Sequence, residues 1–170
     1  HFQGTDIWST GDPSSPQATG WLGRYLDTLP SPVDPLSAWS TVRETPRTLL
    51  ARTVGVPSIP SVAGYAFASP NSAADAAFGR DSALRIASHL PADQPHLAFV
   101  NSSAQGAFAT LDRVAQVNTY VSSVAYSNNG FAQALRAVAG AISKGIGTRV
   151  FWVQTGGYDT HALQNPNAAN

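Results

Sequence analysis

The sequence contains no cysteine and no methionine, and charged residues are scarce in it. Without cysteine the chain has no disulfide, no thiolate metal ligand and no cysteine nucleophile. Charged residues make up 12% of the chain, and ten basic side chains balance ten acidic ones. The sequence therefore lacks the basic stretches and the net positive charge with which proteins bind nucleic acids or anionic membranes.

The two ends of the sequence indicate a piece of a longer protein. Because a natural reading frame begins with methionine and this sequence contains none, we do not expect His1 to be the native first residue. Residues 164–170 are polar and complete no recognisable element. No apolar run approaches the roughly 20 residues that a membrane-spanning helix needs. We therefore expect one incomplete domain over residues 1–170, inactive when expressed by itself.

The middle of the chain has the hydrophobic pattern of three helices. The first begins at a cap at Asn71 or Ser72 and extends to about His89. The second spans about residues 103–124, and the third follows the break at residues 127–130 and ends at Lys144 and Gly145. The apolar faces that we expect to be buried consist of Ala74, Phe78, Ile86 and Leu90 in the first helix, Phe108, Leu111, Val114, Ala115, Val121 and Val124 in the second, and Phe131, Leu135, Val138 and Ile142 in the third.

The first seventy residues have an irregular pattern with many turn residues. A short buried helix is predicted around residues 21–26, and a strand around residues 36–42. Proline in the first turn predicts a short helix over residues 47–52, and residues 59–67 are interpreted as an extended or hairpin segment. This part of the chain therefore contributes short elements rather than long ones.

A continuous apolar run at residues 150–153 predicts a strand buried on both faces, in the middle of a sheet. A helix precedes this strand and a glycine-rich turn follows it. This order is typical of α/β proteins, in which helices pack on a mostly parallel sheet. The fold class predicted for the chain is α/β, with residues 1–70 irregular, residues 71–145 helical, and residues 146–164 forming a strand and a ligand loop.

Asp159 and His161 follow the predicted strand, after two glycines that allow the backbone to turn sharply. In open α/β sheets, ligands bind beyond the carboxyl ends of the strands. A carboxylate oxygen and an imidazole nitrogen suit a divalent ion such as zinc or manganese. Such an ion stabilises negative charge on a phosphoryl or sulfuryl group, or activates water. The same pattern also fits an ordinary loop in which Asp159 caps a turn and His161 is exposed.

The remaining candidate residues are interpreted as structural. His89 ends a predicted helix, where the helix dipole favours a positive charge, and His96 lies in a predicted loop bounded by prolines. No serine has the strand-to-helix pattern of a hydrolase nucleophile, so a Ser-His-Asp triad has no support. Asn101 begins a glycosylation sequon, which we interpret as a chance match.

Three blocks of the sequence resemble the bacterial family called domain of unknown function 1501, which is placed near the alkaline phosphatases and sulfatases. The resemblance extends over the whole chain, and its most specific part is the last block. The blocks are residues 1–11 (HFQGTDIWSTG), residues 20–27 (GWLGRYLD), and residues 131–164, which end in GGYDTHALQ. The family's acidic first strand, its Glu-Phe-Gly-Arg block and a later Asp-His pair do not lie within these residues.

The resemblance implies an alkaline-phosphatase-like three-layer sandwich and an exported, metal-dependent hydrolase of phosphate or sulfate esters. It implies divalent metal ligation, by zinc or manganese, at Asp159 and His161, and export by the twin-arginine route to the periplasm or the exterior. By analogy with sulfatases, the serine expected just before His1 marks the nucleophile, which makes His1 a candidate catalytic residue. The partner implied is a small ester substrate.

Two other functions stay open at this point. A cell-envelope binding or structural protein would keep the same fold without catalysis, because a fold does not fix a function. An intracellular α/β enzyme would have a native start without an export signal. The ligand positions in a longer sequence would separate these alternatives from the hydrolase.

Overall fold

A computed structural model of the chain describes residues 2–14 and 18–156. Within these ranges two short strands and five helices form an α/β structure, which confirms the predicted fold class at that level. Two 3-10 turns, at Pro35–Ser37 and Arg47–Leu49, complete the elements. In chain order the elements are α1 (Phe2–Thr10), α2 (Trp21–Asp27), β1 (Ala38–Ser40), α3 (Ala73–Ala87), α4 (Pro95–Val117), α5 (Gly130–Ser143) and β2 (Val150–Trp152).

Strands β1 and β2 pair in parallel, with Trp39 opposite Phe151. The long connection between them contains helices α3, α4 and α5, as a parallel crossover requires. The pairing continues beyond the strand ends, because Arg149 donates its backbone N–H to the Ser37 carbonyl and Thr41 donates to the Trp152 carbonyl, each at 2.9 Å. Both predicted strands are therefore present, although each is shorter than predicted.

The other edge of β1 is covered by residues 57–59, which run parallel to it. Ser40 donates its backbone N–H to the Pro57 carbonyl at 3.0 Å and accepts from Ile59 at 2.7 Å. A single bridge pairs Ser40 with Ser58, and residues 59–67 contain turns but no paired strands. The hairpin interpretation of residues 59–67 is therefore wrong. Within the described ranges, β2 has a strand partner on one side only and is half-buried rather than central.

The core lies on both faces of β1, because successive side chains of a strand point to opposite faces. On one face, the fully buried Trp39 packs with residues of α4, α5 and the following loop, and its ring lies 5.8 Å from that of Phe151. On the other face, Ala38 packs with Leu26 of α2 and with Val54. Helices thus cover one face of the small sheet and α2 covers the other, which is the layered arrangement of an α/β protein. The first core cluster consists of Leu36, Trp39, Ile59, Val114, Val117, Ala141 and Ile146.

Side-chain caps set the ends of two predicted helices. The Ser72 hydroxyl accepts from the backbone N–H of Asp75 at 3.0 Å and begins α3. The Asn129 side chain accepts from Ala132 at 2.8 Å and begins α5, and Gly145, with a positive φ of 63°, ends it. These ends agree with the sequence prediction because they depend on local chemistry.

The ends of α4 differ from the prediction. The helix begins at Pro95 and ends at Val117, whereas we predicted residues 103–124. Proline is well placed in the first turn of a helix, where its missing N–H has no partner to lose. Because the helix stops earlier, Val121 and Val124 are 87% and 63% exposed, and their predicted burial is wrong.

Two helices also turn a different face to the core than their apolar patterns predict. In α5, Gly140 and Ala141 are buried, whereas Ile142 is 67% exposed. The close approach of α4 explains this, because a Cβ atom added to Gly140 would lie 2.8 Å from Val117 Cγ1. Small residues are needed there, so the large apolar side chains of α5 point elsewhere. In α3, Phe78 is likewise exposed rather than buried.

Candidate functional site

The chain leaves both parallel strands at the same edge of the sheet, and a cleft of about 540 Å³ lies there. Residues 41–43 line the cleft after β1, and residues 154–156 line it after β2. The first turns of α5 form a further wall through Gly130, Phe131 and Ala134. The cleft therefore occupies the position at which ligands bind in open α/β sheets.

Hydrogen bonds hold the rim of the cleft in place. The buried Thr41 donates both its backbone N–H and its hydroxyl to the Trp152 carbonyl, each at 2.9 Å, across 111 residues of sequence. The Ser58 hydroxyl donates to the Val42 carbonyl, which fixes the next residue. The two segments that leave the strands are thus joined to each other and to the loop beside β1.

Arg43 is the one charged side chain among the described residues that line the cleft. Its side chain is exposed and has no hydrogen bond or ion pair with another described residue. Three other arginines, Arg47, Arg80 and Arg113, each pair with an aspartate. The cleft therefore contains a guanidinium whose five N–H donors are available to a ligand.

The N-terminus of α5 adds a second positive feature to the cleft. The first N–H groups of a helix have no partner within the helix, and the aligned peptide dipoles place a partial positive charge at this end. No acidic side chain is among the described residues that line the cleft, so Arg43 and this helix end are its charged features in the described part of the chain. Thr41, Gln154 and Thr155 add polar atoms to the lining.

The residues for which the sequence predicted chemistry, Asp159, His161 and His1, lie outside the described residues. Gly156, the last described residue, is on the rim of the cleft, and Asp159 and His161 follow it by three and five positions in the sequence. In the ranges that the structure describes, no group of three or more His, Asp or Glu side chains could hold a metal ion. The metal assignment thus stays a prediction.

The other predicted residues have structural positions. His96 lies in the first turn of α4 and not in a loop, so that interpretation is wrong. The His89 carbonyl accepts a 2.6 Å hydrogen bond from the Asn101 side-chain nitrogen. Asn101 is only 6% exposed, so its sequon is not accessible for glycosylation, in agreement with the chance interpretation.

Arg43 is the residue that the sequence analysis missed. It follows the predicted strand at residues 36–42 as the first charged residue, which is a weak signal by itself. Its relevance appears only when β1 and β2 are paired, because the pairing brings it to the same cleft as residues 154–156.

Comparison of the chain with protein-family models, with curated proteins and with solved structures gives no match. Among the described helices, none is both long enough and apolar enough to cross a membrane. The site therefore has to be interpreted from its own chemistry. Its position at the carboxyl ends of parallel strands and its unpaired Arg43 are the two observations to be explained.

Proposed function

We propose that the chain forms part of an exported, metal-dependent hydrolase of phosphate or sulfate esters, with the alkaline-phosphatase-like three-layer fold. The observation that carries the proposal is the cleft at the carboxyl ends of β1 and β2, with Arg43 in its lining. The resemblance of residues 1–11, 20–27 and 131–164 to an exported family supports a location in the periplasm or outside the cell.

In this proposal Arg43 binds the anionic part of the ester. A guanidinium matches the oxygens of a phosphate or sulfate group with two parallel hydrogen bonds, which fixes orientation as well as position. The N-terminus of α5 contributes a further favourable potential, because phosphate groups bind readily at helix N-termini. Among the described lining residues, no carboxylate pairs with the guanidinium.

Asp159 and His161 would hold the divalent ion in the segment that continues from Gly156. Their oxygen and nitrogen donors suit zinc or manganese. Two ligands do not complete the coordination of such an ion, so the remaining ligands would come from outside the described residues. The ion supplies stabilisation of negative charge on the ester oxygens and activation of a hydroxyl or water. The glycine pair at residues 156–157 allows the backbone to turn between the strand and these donors.

The opening of the chain fits the same proposal. In sulfatases the nucleophile begins a helix, and here α1 starts immediately after His1, the candidate catalytic residue. Asp6 of α1 forms a 2.5 Å ion pair with Arg47, which holds the helix to the rest of the molecule. The segment before α1 would thus carry the nucleophile on a fixed support.

The test uses the protein expressed with its flanking coding sequence. Bound zinc and manganese are measured by mass spectrometry, and hydrolysis of nitrophenyl phosphate and nitrophenyl sulfate is followed by absorbance. We expect Asp159→Ala and His161→Ala to lose both metal and activity. We expect Arg43→Gln to keep the metal and to lower kcat/KM by about tenfold or more, because one charged hydrogen-bond partner is lost.

Arg85→Gln is the matched control, because it removes the same charge from an exposed position on α3. Unchanged metal content and activity in both the Asp159 and the His161 variants would refute the proposal. In that case the non-catalytic cell-envelope protein with the same fold becomes the better interpretation.

A further inference from the structure

A second concave surface, here called the Arg136 groove, lies between α5 and the loop that precedes it. It consists of two adjoining cavities of about 260 and 390 Å³, both lined by Asn118, Tyr120, Gln133 and Arg136. The first cavity extends along residues 60–63, and the second along the α4–α5 loop to Tyr126. Together they are within the size range of small-molecule sites.

Of the described residues that line the two cavities, Arg136 is the one with a charged side chain. Its guanidinium has no ion pair or hydrogen bond with any residue in the described ranges. No acidic side chain is among the described residues that line the groove. Arg136 is exposed to solvent at this concave surface, so its guanidinium is accessible to a ligand.

Two half-buried tyrosines, Tyr120 and Tyr126, form the aromatic part of the lining. Neither hydroxyl has a hydrogen-bond partner among the described residues. Tyr120 packs closely against α5, since a Cβ atom added to Gly140 would lie 3.1 Å from Tyr120 Cβ and 3.3 Å from its Cδ1. Its backbone N–H also donates to the Val117 carbonyl at 3.0 Å. The ring is therefore held beside the helix that carries Arg136.

Hydrogen bonds between the walls support the shape of the groove. Gln133 of α5 donates to the Ser127 carbonyl in the loop at 2.9 Å. Asn118, just after α4, donates to the Val62 carbonyl on the opposite side at 3.5 Å. A groove that is held in shape before binding requires less ordering when a ligand enters.

We propose that the Arg136 groove binds a small organic anion, namely a carboxylate or phosphate monoester attached to a planar apolar body. The Arg136 guanidinium pairs with the anion through two hydrogen bonds. The Tyr120 and Tyr126 rings contact the planar body, and their hydroxyls provide further donors. This site requires no metal ion and is separate from the cleft at the carboxyl ends of the strands. Pro60 lies between them, because it lines both that cleft and the first cavity of the groove.

The proposal is tested by isothermal titration calorimetry of the protein expressed with its flanking coding sequence, with phenyl phosphate, benzoate and inorganic phosphate. We expect saturable, Arg136-dependent binding of the two aromatic anions, separate from any binding of phenyl phosphate in the cleft. Inorganic phosphate should bind the groove more weakly because it lacks the apolar body. Arg136→Gln should weaken the binding of phenyl phosphate by about tenfold or more. Arg136→Lys keeps the charge without the paired geometry and should give an intermediate affinity.

Two control variants separate this site from non-specific attraction and from the carboxyl-end cleft. Arg85→Gln removes an equal charge from α3 and should leave the affinity unchanged. Arg43→Gln removes the cation of the cleft, so it should eliminate the binding of phenyl phosphate in the cleft and leave the binding of benzoate, which is not an ester, unchanged. Circular dichroism establishes that each variant is folded. The proposal is overturned if no aromatic anion saturates the chain, or if inorganic phosphate binds as tightly as phenyl phosphate. It is also overturned if Arg136→Gln and Arg85→Gln have equal effects, or if only Arg43→Gln weakens binding.

Discussion

Substitution of Gly23 by alanine tests the close packing of α2 against residues 50–51. Gly23 is buried in α2, where the helix lies directly against the backbone of residues 50–51. A Cβ atom at this position would lie 2.7 Å from the backbone nitrogen of Ala51 and closer still to the carbonyl group of Leu50. These are backbone atoms, so no side-chain rotation relieves the overlap. Gly20, one turn earlier, approaches the same segment and donates its N–H to the Leu50 carbonyl at 2.9 Å.

Two opposing effects determine how much Gly23→Ala changes the free energy of unfolding. Alanine in place of glycine stabilises a helix by about 1 kcal/mol, because glycine loses more backbone entropy on folding. Overpacking a close contact costs about 1–3 kcal/mol, and more where the backbone has to move. For Gly23→Ala the second effect is the larger one, and we expect a net loss of about 2 kcal/mol or more. That is a large part of the roughly 5–15 kcal/mol by which a domain is stable.

Gly106→Ala is the matched control, because Gly106 lies within α4 and a Cβ atom there would meet nothing within 4 Å. It should raise the free energy of unfolding by up to about 1 kcal/mol. Gly140→Ala should fall between the two, because its 2.8 Å contact is with the side chain of Val117. Urea unfolding followed by circular dichroism measures all three. If Gly23→Ala were as stable as Gly106→Ala, the close packing of α2 on residues 50–51 would be wrong.

Two further predictions concern charged groups. Arg113 donates to both carboxylate oxygens of Asp34 at 2.7 Å and also to the Ile146 carbonyl, so Arg113→Gln should cost about 1–2 kcal/mol in urea unfolding. Arg80→Gln, which breaks the more exposed pair with Asp112, is its control and should cost less; equal losses would contradict the structure. Partial burial acts to raise the pKa of Asp27, but hydrogen bonds from Thr53 and Arg52 and the charge of Arg52 hold that pKa below its ordinary value. Because the folded-state pKa is lowered, the stabilisation by Asp27 is present above about pH 4 and is lost as the pH falls through the folded-state pKa. Asp27→Asn should therefore reduce the acid dependence of the urea midpoint below about pH 4, and an unchanged dependence would refute the assignment.

Elements set by local chemistry could be predicted from the sequence. The caps at Ser72 and Asn129 and the glycine end at Gly145 depend on residues within one turn of the helix. The apolar run of strand-forming residues at 150–153 predicted β2, but its predicted position in the middle of a sheet was wrong for the described residues. The pattern around residues 21–26 likewise predicted α2.

Features that depend on tertiary packing could not be predicted in this way. The period of the large apolar residues in α5 indicated one face, but the core receives the face with Gly140 and Ala141, since only small residues fit beside α4. The beginning of α4 at Pro95 was missed because proline breaks a helix in its interior but is favourable in its first turn.

The candidate site depends partly on local sequence and partly on tertiary packing. The sequence identified the segment after β2 as the place for chemistry, and its residues 154–156 do line the cleft. The partner of this segment is the chain after β1, and 111 residues of sequence separate Thr41 from Trp152. No local pattern indicates that such distant segments meet, so Arg43 was found only after the strands had been paired.

Helix α5 forms a wall of both the cleft with Arg43 and the Arg136 groove. Its C-terminal half packs on the core through Gly140 and Ala141, which leaves its N-terminal half to form walls. Residues 130, 131 and 134 line the cleft with Arg43, whereas residues 133, 136 and 137 line the groove. The chain has no net charge, yet among the described residues each lining contains one arginine and no carboxylate. The two arginines thus lie on either side of this half of α5, and each is placed to pair with an anionic ligand, as both proposals require.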